Sequence, residues 1–188
     1  MMAIAPMKRL STRAIVRVSA ALALAACSSD DGVRVDSIEI VAYGVLEFET
    51  AVSGKDPTSS VGAPLSHAAR IHVVRQTDRI PLREGLLYGV AFVLRGRPAG
   101  AGVPVKVVMR SSRPCVLKQT RQVVYHNDTT LDVRIGDLRH IGAKITSGDD
   151  NLCVDPVGPG IETFEFFYQD RKVAEQKFDV YLEDSRTQ

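Results

Sequence analysis

The sequence predicts an all-β domain, an antiparallel sandwich of about seven to nine short strands. Three observations lead there. Apolar and polar residues alternate in several runs, most clearly in "IETFEFFYQDRKVAEQKFDVYLE", Ile161 to Glu183. Turn-forming residues recur between the alternating runs. No stretch of about twelve residues keeps the 3.6-residue period of an amphipathic helix.

The first run, "VRVDSIEIVAYGVLEFET", sets Val35, Ser37 and Glu39 against Asp36, Ile38 and Ile40. Its internal Gly44 marks a bulge or bend. "SGKDPTSSVGAP", Ser53 to Pro64, reads as a loop by composition. "ARIHVVRQ" places Ile71 and Val73 on one face, with Arg70 and His72 on the other. "GLLYGVAFVLRG" is long and apolar, as a central strand covered on both sides would be. "GVPVKVVMR" follows the turn "GRPAGAG". Between Cys115 and Cys153 the pattern weakens, leaving "RQVVYH" and "TTLDVRIG" as strand candidates. The closing hairpin puts Phe164, Phe166 and Tyr168 on one face and reverses near Gln169 to Arg171. Phe178, Val180 and Leu182 then resume the alternation, with Glu165, Gln176 and Lys177 expected near turns or on the wet face.

Before the first strand lies a different kind of segment. Lys8, Arg9, Arg13 and Arg17 precede a short apolar stretch, Val18 to Ala26, and no acidic residue occurs before Asp30. A bilayer-spanning helix needs about 20 apolar residues, so this stretch is too short to span. A basic start, an apolar middle and a small-residue end are the parts of a secretory signal peptide. "LAAC", Leu24 to Cys27, resembles the bacterial lipobox, which implies cleavage before Cys27 and lipidation of its thiol. Acyl chains contribute about 0.8 kcal/mol per buried CH₂, and two or three together anchor stably. The expected organisation is therefore a signal peptide over 1–26, a lipidated tether over 27–34, one sandwich domain over 35–183 and a tail over 184–188. Ser28 and Ser29 follow the cysteine. By resemblance to the sorting rule of Gram-negative lipoproteins, this implies the outer membrane, with the domain facing the periplasm.

Loss of residues 1–26 removes four of the 24 basic side chains, leaving 20 against 22 acidic ones, a formal charge of about −2. That balance gives no reason to expect nucleic acid as a partner. The remaining cysteines are Cys115 and Cys153. In an oxidising compartment the default for such a pair is a disulfide, worth about 4 kcal/mol on the chain-entropy view. Two free thiols are the competing reading. A metal site lacks ligand spacing, since no histidine pair lies nearby.

"RQTDRIPLREGLLYGVAFVLRGRPAGAGVPVKVVMRSS", Arg75 to Ser112, has a chemistry of its own. Thr77 or Asp78 caps a turn, Ile80 fills an apolar site, Pro81 stops pairing, and Glu84 with Gly85 turns the chain into the apolar strand. This suits a connection between two sheets; Arg79, Arg83 and Glu84 as a ligand site is the sharper alternative. Together with Tyr43–Gly44 and the closing "FEFFYQDRKVAEQKFDV", the run resembles the bacterial family catalogued as domain of unknown function 3859. The resemblance covers most of residues 36–182, departs from the family at Cys115 and Cys153, and implies an immunoglobulin-like, exported or envelope-associated sandwich. It implies no catalytic residues.

Motifs for chemistry are missing from the sequence. There is no GxSxG elbow, no phosphate-cradling glycine loop and no HExxH helix. His67, His72, His126 and His140 are scattered singly, with His126 and His140 near expected turns. "NDT" at Asn127 matches a glycosylation acceptor by chance, and "SGDDN", Ser147 to Asn151, has too few ligands for calcium. No cofactor is expected. The functional expectation is a non-enzymatic envelope lipoprotein that presents loops or an edge strand to another envelope protein. The alternative is a periplasmic small-molecule or metal-binding module, which requires a concave pocket with converging polar groups; a hydrolase is a third, without a nucleophile and base to nominate.

Overall fold

The structure, a computed structural model, describes residues 32–48, 51–55, 58–60, 64–68, 71–146, 153–154 and 158–183, with backbone alone for 51–55 and 64–68. Strands are numbered in chain order. One sheet has four, in the order β4 (Ile71–Gln76), β1 (Arg34–Phe48), β6 (Leu87–Arg97) and β9 (Leu138–Lys144). The other has five, β5 (Arg79–Pro81), β11 (Arg171–Tyr181), β10 (Gly160–Tyr168), β7 (Gly102–Val116) and β8 (Val123–Arg134). A separate ribbon pairs β2 (Ala51–Lys55) with β3 (Pro64–Ala68). All ladders are antiparallel except β5 with β11.

The core lies between the two sheets. β6 is central, and Tyr88 to Leu94 are buried without interruption, as its unbroken apolar run predicts. Alternate residues Tyr88, Val90, Phe92 and Leu94 join the interior cluster with Phe164, Phe166, Phe178 and Val180 of the opposite sheet. The aromatic rings meet edge-on: Tyr88 lies 5.3 Å from Phe178 and 6.1 Å from Phe164, while Phe92 sits 4.9 Å from Phe166 at a tilt. Such contacts add about 0.5–1.5 kcal/mol per pair beyond area burial.

Local rules explain the turns. Gln169 and Asp170 both have positive φ, 48° and 60°, the geometry of a two-residue hairpin whose twist matches that of its strands. In the intersheet connection the Arg79 amide donates to Thr77 Oγ1 at 3.0 Å. Ile80 is fully buried, β5 ends at Pro81, and Gly85 takes φ 77°. The chain thus passes from one sheet to the other and back, as the residue chemistry predicts.

Several expectations need correction. β1 is not a single alternation: its register against β6 shifts between Val35 and Ser37, so Val35 and Ile38 both face the core. A bulge adds one residue and restores the face. Gly44, at φ 135°, stands where a Cβ would lie 2.1 Å from the Arg75 carbonyl oxygen. The register of β1 against β4 shifts next to it, between Val45 and Leu46. The supposed loop from Ser53 to Pro64 includes parts of the β2–β3 ribbon. The ribbon lies outside the two sheets, whose nine strands match the predicted number. β9, "LRHIGAK", escaped prediction because it has two glycine or alanine positions and no sustained alternation. His140 and His126 therefore sit within strands, not turns. Leu182 lies beyond the end of β11 and is exposed. Gln176 is half-buried opposite Phe164.

Candidate functional site

Cys27, the expected lipidation site, lies outside the described residues, as do Ser147 to Asn151. Cys115 and Cys153 form a disulfide with Cα atoms 5.2 Å apart. It binds the far end of β7 to Cys153, and the Val154 amide donates to the Val116 carbonyl at 2.8 Å beside it. β7 there runs past Ser111 and leaves Val123 and Tyr125 of β8 exposed.

The arginines considered as a ligand site are engaged at the surface. Arg79 lies 3.8 Å from the Asp179 carboxylate and stacks over the Tyr181 ring at 4.7 Å. Arg83 pairs with Glu183 at 2.7 Å. They brace the β5–β11 contact and do not converge. His72 faces Glu47 at 3.9 Å. Burial, with the positive charge of Arg139 and His72, holds the half-buried His140 below the usual imidazole range. Among the described residues no three His, Cys, Asp or Glu side chains come together as a metal-binding group. Asn127 accepts a hydrogen bond from the Ser59 hydroxyl at 2.8 Å, a structural role.

One carboxylate stands out by position. Glu162 of β10 has the same parity as Phe164 and Phe166 and lies opposite Ser111 of β7 and Phe178 of β11. Burial pushes its pKa up to about 7, moderated by a hydrogen bond with Ser111. Tyr88 is nearly enclosed; burial raises its phenol well above the ordinary range, and the Glu162 charge adds to the shift. The alternation "IETFEF" implied this face for Glu162, but an inward carboxylate is not apparent until the opposing Tyr88 is placed.

The sheet edges differ in how they are finished. β8 is covered by residues 58–60. Ser60 donates its amide to the Asp128 carbonyl at 3.0 Å, and its hydroxyl accepts the Asp128 amide at 3.1 Å. Thr58 Oγ1 accepts the Thr130 amide at 3.1 Å and lies 2.7 Å from the hydroxyl of the buried Thr129. Lys106 adds an ion pair to Asp128 at 3.0 Å; hydrogen bonding from Ser60 first, then from Lys106, keeps that carboxyl below its usual range. β5 is three residues long and closes with Pro81. β4 is interrupted, since Val45 opposes Arg75 while Leu46 opposes Val73, leaving Val74 as an extra residue. Among the described residues β9 has none of these devices. Its seven residues pair with β6 in unbroken register from Leu138 to Lys144.

No family model matches the chain. No curated protein matches it either. Among solved structures it is similar to the crystal structure of an immunoglobulin-like protein from Pseudomonas aeruginosa, with a TM-score of 0.50 and 21% sequence identity over 81% of this chain and 98% of that one. At that identity the likeness speaks to architecture, and the architecture is an immunoglobulin-like β-sandwich.

Proposed function

We propose that the chain is an exported lipoprotein, tethered through Cys27 to the periplasmic face of the outer membrane, whose sandwich binds another envelope protein and catalyses no reaction. Export is supported by the basic, short-apolar and small-residue order of residues 1–26 and by "LAAC". A disulfide between the two remaining cysteines also suits an oxidising compartment. Membership of the domain of unknown function 3859 family is part of the same proposal, resting on "QTDRIPLREGLLYG" and the closing hairpin.

The observation that carries the binding role is the distribution of polar groups. Arg79, Arg83 and His72 are engaged with neighbours at the surface and do not converge in a cleft, whereas among the described residues the outer edge of β9 is unpaired. Immunoglobulin-like sandwiches commonly use such surfaces for partners, an argument by analogy of fold. Crosslinking of the intact lipoprotein in its own envelope should capture one partner in stoichiometric amount. Capture of none overturns the binding role. Cys27→Ser should leave unprocessed precursor, because serine cannot form the thioether; a variant that still fractionates with the outer membrane after a salt wash overturns the tether.

A further inference from the structure

The geometry points to the outer edge of β9 as a docking site for an extended, acidic segment of a partner protein, which would add a fifth strand to the four-stranded sheet. This rests on the protein-binding role proposed above and assigns it a surface.

Hydrogen-bond parity identifies the open groups. Ile145, just past β9, donates its amide to the Leu86 carbonyl and accepts from the Gly85 amide, both at 2.8 Å, so it faces the β6 side. Alternate residues in a strand point their amides to opposite sides. Ala143, Ile141 and Arg139 therefore serve β6, and Leu138, His140, Gly142 and Lys144 point outward. Among the described residues no backbone or side-chain group hydrogen-bonds to those four. An unpaired, regular edge is a template for another strand, and folded proteins ordinarily disguise it with bulges, proline, short length or a cover. The other three edges here each carry one of those disguises. Among the described residues β9 carries none of these four, its guards being the charges of Arg139 and Lys144, and it is backed by β6, buried from Tyr88 to Leu94.

Charge selects the occupant. Arg139 and Lys144 are exposed, and neither has a carboxylate partner among the described residues. From Leu138 to Thr146 there is no acidic residue. A second copy paired antiparallel on the same edge would gather two sets of these cations, which like-charge repulsion disfavours. A strand with carboxylates near its ends and apolar residues between them would meet the cations while lying beside the half-buried Ile141 and the exposed Leu138. Main-chain bonding would supply affinity, and the side chains would set specificity.

The test uses the mature protein and a capped heptapeptide with glutamate near both ends, at positions 1 and 6, opposite Lys144 and Arg139 in an antiparallel register, and with valine and threonine elsewhere. Titration followed by amide NMR should shift Leu138, His140, Gly142 and Lys144 first and slow their hydrogen exchange at least tenfold at saturation. A peptide with lysine at those two positions should bind at least tenfold more weakly. His140→Pro removes an outward amide that β6 does not use and should abolish binding. Arg139→Glu combined with Lys144→Glu should reverse the peptide preference, which keeps the test decisive if the proline variant unfolds. Absence of a charge preference, perturbations centred elsewhere, or protection of these amides in a concentration-dependent dimer would each overturn the assignment. Stoichiometric capture of a partner at another surface overturns β9 alone and leaves the binding role standing, so the two failures are distinct.

Discussion

Glu162→Gln should flatten the fall in stability between about pH 4.5 and 7 and leave the domain more stable above that window. In the folded chain burial holds the Glu162 pKa at about 7, against 4.5 for the free side chain. Between those values the folded state keeps a proton that the unfolded state releases, so stability falls as pH rises through the window. The favourable contribution is complete below about 4.5 and gone above about 7. At 1.36 kcal/mol per pKa unit, the shift corresponds to about 3 kcal/mol as an upper bound. Glutamine never ionises, so the variant's advantage should be under about 1 kcal/mol at pH 5 and grow to about 1–3 kcal/mol at pH 8. His140 runs the other way: its lowered pKa stabilises the fold above the ordinary imidazole value, and this is lost as pH falls. The wild-type curve alone therefore mixes two opposing slopes, and the wild-type-minus-variant difference isolates Glu162. Urea titrations at pH 5, 6, 7 and 8 at constant ionic strength give that difference. Parallel curves for the two proteins would show that the carboxyl is not enclosed as described.

The remaining expectations concern packing, crosslinking and the covered edge. Phe166 is fully buried against Phe92, and Phe166→Ala should cost about 3–5 kcal/mol, whereas Lys177→Ala on the exposed face should stay within about 0.5 kcal/mol; similar losses in thermal melts would mean the register is wrong. Glu165 is on the outer face as expected, yet its side chain is only 13% exposed, between Arg110 at 2.7 Å and Lys172 at 3.5 Å. Glu165→Ala should therefore cost about 1 kcal/mol, between those two, and a neutral result would show that the pairs contribute nothing. Cys115→Ser paired with Cys153→Ser should lower stability by about 2–5 kcal/mol, measured by denaturation, and reductant should have no further effect on the double variant. Thr58→Val removes the hydroxyl that accepts the Thr130 amide; exchange at Thr130 should accelerate at least tenfold, and unchanged protection would mean the cover is held by something else.

What could be read in advance was local. The closing hairpin was legible because its alternation and its turn are carried by adjacent residues, and so was the intersheet connection around Ile80 and Pro81. The bulge behind Val35 and Ile38 was not, because only the partner β6 reveals which residue is extra. β9 was missed for a related reason: Gly142 and Ala143 give little signal, and their place is fixed by the neighbouring β6. The cover on β8 joins residues about 70 positions apart. Its short hydroxyl side chains in "TSS" and "NDTT" resemble those of any polar loop. The inward carboxylate Glu162 lay on a face that the pattern gave correctly, and its altered acidity arises only from what the other sheet sets against it.

The parallel contact of β5 with β11 also governs the order in which the fold can be completed. Arg79 to Pro81 face Asp179 to Tyr181, so a strand made early waits for one made about a hundred residues later. β10 likewise joins β7 to β11, leaving the five-stranded sheet unfinished until the last strand is available. Closing such long loops before contacts repay the lost entropy makes assembly slow. A chain emerging amino-terminus first would hold Ile80, and the apolar face of β6 beside it, without their final cover for most of its emergence. That interval, more than the finished domain, is when the chain is open to aggregation or to a chaperone.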